Sequence, residues 1–135
     1  MGRFFAAVSF TDGERPGYDA LHQLFVDGGA LIKCTSETPE ITSVEAFIRP
    51  RQAVVDSGAL TSFRETEVTE LTEVFGNVGH RFSTYTKCGV MNGVAIEGRG
   101  AIVTQFVRTP QGWRISSMAW DDERPGRVPQ ARDDR

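Results

Sequence analysis

Apolar positions in the first sixty residues recur at helical spacing, and those after residue 60 recur in strand-like alternation. Phe4, Phe5 and Val8, in a run with Ala6 and Ala7, predict a first helix over residues 3–10. The breakers in "DGERPG" interrupt it. Tyr18, Leu21, Leu24 and Phe25 share one face of a second helix over 17–26, which "DGG" at 27–29 stops. The short apolar run "ALIKC", 30–34, predicts a strand. A third helix is predicted over 43–57. Thr42 and Glu45 have the spacing of a capping box, and Val44, Phe47 and Ile48 give the buried stripe. Pro50 removes one hydrogen bond from this helix and is expected to kink or divide it, and Gly58 ends it.

The remainder, 62–122, reads as antiparallel sheet. "TSFRETEVTELTEVF" is rich in Thr, Val and Phe with interleaved charges, and "GN" at 76–77 suits a two-residue hairpin loop. "VGHRFSTYTKC" returns from it. After a glycine-punctuated link come "RGAIVTQFVRT" and, beyond the turn at "PQG", "WRISSMAWD". Three helices followed by a run of strands define an α+β domain over 1–123, with a solvated tail at 124–135.

Composition narrows the function classes. With 39% hydrophobic and 24% charged residues the chain is globular rather than disordered. A net charge of −3 argues against nucleic acid as a partner. No apolar run reaches the roughly 18 residues of a membrane span, and the N-terminal stretch lacks the pattern of a signal peptide, so a cytoplasmic location is expected. Cys34 and Cys88 fit no metal-ligand spacing. With no histidine pair at ligand spacing and no phosphate-cradling loop, no metal and no cofactor are expected.

The phrases "GALI", "FGNVGHRFSTY" and "GAIVTQFVRTPQGWRISSMAW" resemble the nuclear transport factor 2-like superfamily, which includes ketosteroid isomerases and SnoaL-like polyketide cyclases. "FGN", "FSTY" and "W-D-x-E-R-P" look like a bacterial subgroup of it without an assigned activity. The resemblance implies a cystatin-like roll: a curved antiparallel sheet wrapped around the N-terminal helices into a cone, open at one end. It also implies an apolar pocket inside the cone for a small apolar ligand. A homodimer through a sheet face is common in such proteins, and Phe106, Met118 and Trp120 are the apolar set expected to form that interface.

The candidate chemistry is sparse. His80 alternates with Val78, Phe82 and Thr84, and is either a pocket base or donor, or a histidine satisfied at the edge of the core. Asp121, at the end of the last strand, is either its acidic partner or part of a solvated exit "DDERP". Tyr85 alternates out of phase with His80 and is expected on the other face. Glu65, Glu67 and Glu73 share a face with Phe63; burial there would raise a carboxyl pKa, but the mixed pattern reads more simply as an edge strand protected by charge. Strict alternation sends Trp113 and Trp120 to opposite faces unless the strand bulges. The residues expected to touch a ligand are Tyr18, Phe47, Phe82, Gln105, Trp113 and Trp120. Two functions stand: a small-molecule-binding domain, or an isomerase, dehydratase or cyclase moving a proton on a small apolar carbonyl compound.

Overall fold

The computed structural model describes residues 1–124. Apart from Arg124, the expected tail lies outside the described residues. Helix α1 spans Gly2–Val8, and a 3-10 turn at Tyr18–Ala20 runs into the short helix α2, Leu21–Leu24. Strands β1, Phe25–Lys33, and β2, Glu40–Thr42, precede helix α3, Val44–Asp56. Four long strands complete the chain: β3, Leu60–Phe75; β4, Val78–Met91; β5, Val94–Thr109; and β6, Gly112–Asp122.

All six strands form one sheet in the order β2-β1-β6-β5-β4-β3. The run from β3 to β6 is antiparallel, as the alternation predicts. β1 pairs with β6 in parallel, so the sheet as a whole is mixed. The second helix is shorter than expected because Phe25 already belongs to β1. The "DGG" that reads as a helix stop is an irregularity inside that strand, with Gly28 at φ 79° and a register shift between Phe25 and Ala30.

Local chemistry also moves the start of α3. The Ser43 hydroxyl, not that of Thr42, accepts from the backbone N–H of Ala46 at 3.1 Å. Thr42 is spent on β2, donating to the carbonyl of Leu31. Pro50 does not divide the helix, which runs unbroken to Asp56. The glycine-punctuated link is in fact the β4–β5 hairpin. Asn92 and Gly93 turn it with φ 51° and 76°, the two positive values that a tight primed turn requires.

Helices α1 and α3 pack on the concave face of the sheet. Leu21, Leu31, Ile48, Tyr85, Ile102 and Met118 are among the residues buried there. Two bulges decide which residues join them. One opens in β3 between Glu67 and Thr69, the other in β6 opposite Gln105 and Phe106. The second turns Ile115, Met118 and Trp120 all inward despite their broken alternation. Phe106, Met118 and Trp120 therefore belong to the core and its edge and do not form an outer interface.

Candidate functional site

A cavity of about 430 Å³ lies between the helices and the concave face of the sheet. Its apolar walls come from both layers. Phe47 of α3 meets Trp120 of β6 edge to face at 5.8 Å between ring centroids, and Ile102 and Phe63 continue the sheet side. The size and the lining suit a small organic molecule.

Six polar side chains line this wall: Tyr18, Lys33, Glu40, Arg51, Glu65 and Lys87. Glu65 points inward from β3, between the cavity and the Tyr85 network. Its carboxyl makes no hydrogen bond and no ion pair among the described residues, whereas Glu67, two positions along, is fully engaged. Arg81 grips Glu67 with two bonds of 2.9 and 2.7 Å, and Ser83 donates a third at 2.6 Å. Those bonds, led by the guanidinium, hold the Glu67 carboxyl below its usual range. Glu65 shifts the other way. Burial pushes its pKa from 4.5 up to about 7, with Asp122 adding to the rise and the cations Lys87 and Arg51 opposing it. Some of its surface stays accessible, but the protein surrounds the carboxyl closely enough for desolvation to dominate.

Behind Glu65 runs a short polar chain. The Tyr85 hydroxyl donates to the carboxylate of Asp122, and Lys87 Nζ donates to the other oxygen of the same carboxylate at 2.8 Å. Tyr85 is 1% exposed, and burial together with Asp122 pushes its phenol well above the ordinary range, so it stays a neutral donor. Tyr18, 3% exposed, turns to the cavity from the 3-10 turn. Its hydroxyl has no hydrogen-bond partner among the described residues, and burial raises its pKa against the pull of Arg51. A buried phenol with no partner is costly unless something arrives to satisfy it.

The residues expected from sequence divide cleanly. Tyr18, Phe47 and Trp120 line the cavity. His80 does not, because the inward residues of β4 are Ser83 and Tyr85, both buried, which places His80, Phe82 and Thr84 on the outer face. There His80 pairs with Glu73 across the strand at 2.7 Å, both side chains about half exposed. Gln105 shares that outer row and accepts from Ser117. Trp113 stays at an exposed edge near Arg108. Asp121 faces outward and is held by Arg124 at 2.5 and 3.2 Å. It sits in the row of Ala101 and Thr84, whereas His80 sits in the row of Gln105 and Ser117, so the two are not brought together. The inward carboxylate at the end of β6 is Asp122.

Lys87, Arg51 and Tyr85 were not among the residues expected at the site, and Glu65 was expected to belong to a charged edge. For Glu65 the signal was present: an acid beside Phe63 on one face. β3 is an edge strand, as its charges suggest. Only the first of its acids is drawn under the helices.

No protein-family model matches the sequence, and no curated protein matches it either. Solved structures do match. A nuclear transport factor 2-like superfamily protein from Salmonella enterica serovar Typhimurium superposes with a TM-score of 0.67 at 15% identity, over 84% of this chain and 82% of that one. The chain has the nuclear transport factor 2-like fold. A nuclear transport factor 2-like protein with a cystatin-like fold from Novosphingobium aromaticivorans gives a TM-score of 0.61 at 18% identity, covering 78% and 68% of the two chains. A second protein of that organism, provisionally named an aromatic ring hydroxylase, gives 0.64 at 18% identity over 81% and 76%. The nuclear transport factor 2-like cone is thus shared with proteins of differing names, and the fold alone assigns no activity.

Proposed function

We propose that the protein binds a small, largely apolar carbonyl compound in the cone and moves a proton on it, with Glu65 as the general base. One observation carries this reading: the Glu65 carboxyl faces a mostly apolar cavity, unbonded, with its pKa raised by burial to about 7. A base poised there exchanges protons in both directions near neutral pH. Proton loss next to a carbonyl builds negative charge on the oxygen, and Tyr18 is the buried phenolic donor available to meet it. Tyr85, Asp122 and Lys87 lie behind Glu65; burial, with the charge of Asp122 adding to it, keeps its carboxyl from ionising early against the pull of Lys87. His80, paired with Glu73 on the outer face, has no part in this scheme.

The test needs no knowledge of the natural substrate. Small cyclic and aryl ketones are incubated with the protein in D2O, and exchange of the protons beside the carbonyl is followed by NMR. At least one ketone should exchange faster with the protein, and Glu65→Gln should remove about 10²–10⁴-fold of that acceleration, the usual worth of a positioned acid or base. Ketones that bind without accelerated exchange would make the protein a binding domain with no proton transfer. If no ketone binds, the cavity reading fails.

A further inference from the structure

Arg51 is a cavity-wall charge with no ion pair among the described residues. It stands on α3 one residue after Pro50, with its guanidinium carbon 3.7 Å from the centroid of the Phe47 ring. Among the described residues a single hydrogen bond engages it, from Nη1 to the carbonyl of Phe47 at 2.9 Å. A guanidinium has five N–H donors, so most of its capacity is unspent. Among the described residues no carboxylate lies within ion-pair distance of it. Burial meanwhile works against its charge, with Tyr18, Glu40 and Glu65 pulling the other way from a distance. A half-buried cation held flat against an aromatic face without a counter-ion is a costly arrangement for stability alone.

The surrounding charges point the same way. Lys33 also lines the cavity and makes no ion pair among the described residues, although Glu40 is its neighbour across the β1–β2 pair. Lys87 is already matched by Asp122. While Glu65 holds its proton, the wall therefore carries one net positive charge, in a chain whose formal net charge is −3. That excess suits a monoanion. A dianion would overcompensate it and be repelled by Glu40.

We propose that the cavity selects molecules with a carboxylate at one end of an apolar body, and that Arg51 receives the carboxylate. The inference rests on the reading that the cavity is the ligand site, and it narrows the substrate class to aromatic or alicyclic carboxylic acids. The planar fork of Arg51 matches a carboxylate bidentately, while Phe47, Trp120 and Ile102 hold the ring. Arg51 is then a specificity-determining residue rather than a participant in proton transfer.

The experiment compares two probes of nearly equal shape, 2-naphthoate and 2-acetylnaphthalene, by ligand-observed NMR titration at pH 6. The carboxylate is expected to bind at least about tenfold more tightly, which corresponds to roughly 1.4 kcal/mol. Arg51→Met should erase that preference and leave the ketone's affinity unchanged, and Arg51→Lys, which keeps the charge but not the fork, should retain part of it. Equal affinities, or a preference that survives Arg51→Met, would overturn the inference while leaving the cavity as a ligand site. Failure of both probes to bind would overturn the inference together with the ligand-site reading. Should Arg51→Met melt below the assay temperature, the Arg51→Lys titration decides: an undiminished preference overturns the proposal.

Discussion

At the scale of single residues, Glu65 and Glu67 show how little separates a fully bonded acid from an unbonded one. Both point inward from the same strand. Arg81 pairs with one and Ser83 hydrogen-bonds it, whereas the other carboxyl has no bond among the described residues. The raised pKa of Glu65 has a consequence for stability with a definite sign. The folded protein holds this proton up to about pH 7, whereas the unfolded chain releases it near 4.5. Stability from this residue is thus complete below about pH 4.5 and is lost as pH rises through about 7. The loss is on the order of 3–4 kcal/mol, at about 1.4 kcal/mol for each of the roughly 2.5 pH units between the two values. Glu65→Gln should therefore unfold at the same denaturant concentration as the parent at pH 4, and at a clearly higher one at pH 8.5. Equal midpoints at both values would mean that Glu65 titrates normally. The parity of β4 explains why His80 drew attention instead. Alternation alone leaves two equivalent faces, and only burial of Ser83 and Tyr85 selects the inner one.

At the scale of elements, the three helices and the four long strands were legible because each carries its own periodicity and turn residues. The irregularities were not. A bulge adds one residue with no special chemistry of its own, as Val68 and Ser116 show, yet it inverts every later side chain on the strand. Trp120 and Asp122 reach the inner face by that route, which strict alternation could not foresee. The parallel pairing of β1 with β6 was hidden for another reason: it joins the two ends of the domain, and local sequence holds no record of such a partner. The close approach of β5 to β6 gives a sharp prediction. A Cβ at Gly100 would run into the carbonyl oxygen of Asp121 and the hydroxyl of Tyr85. Gly100→Ala should cost about 1–3 kcal/mol in chemical denaturation, the range for overpacking, and should disturb the Tyr85–Asp122 bond. At the start of α3, Ser43→Ala should cost about 1 kcal/mol, and Thr42→Ala should leave the helix cap intact.

At the scale of the whole molecule, the outer face of the sheet holds an apolar row that crosses every strand. Ile41, Ile32, Ala119, Val103, Phe82 and Leu71 follow one another in register. Ile41 and Val103 are openly exposed, and Phe75 and Val78 extend the patch at the β3–β4 hairpin. So much continuous apolar surface favours a partner. We propose that a second copy covers it. Light scattering at micromolar concentration should give about twice the chain mass of 14.9 kDa, and Phe82→Glu should halve it without unfolding the protein. A parent mass equal to one chain would remove the dimer. In the proposed dimer Phe82, placed on this face, is an interface residue rather than a ligand contact.

The proposed chemistry needs the Glu65 carboxyl to be largely withdrawn from water beside the apolar cavity. Its titration is the most direct measurement. Side-chain carboxyl carbons of glutamate, labelled with 13C, are followed by NMR from pH 3 to 9, and Glu65→Gln assigns the resonance. A midpoint near 7 is the result expected from the burial of Glu65. A midpoint near 4.5, in line with the exposed glutamates, would contradict the account.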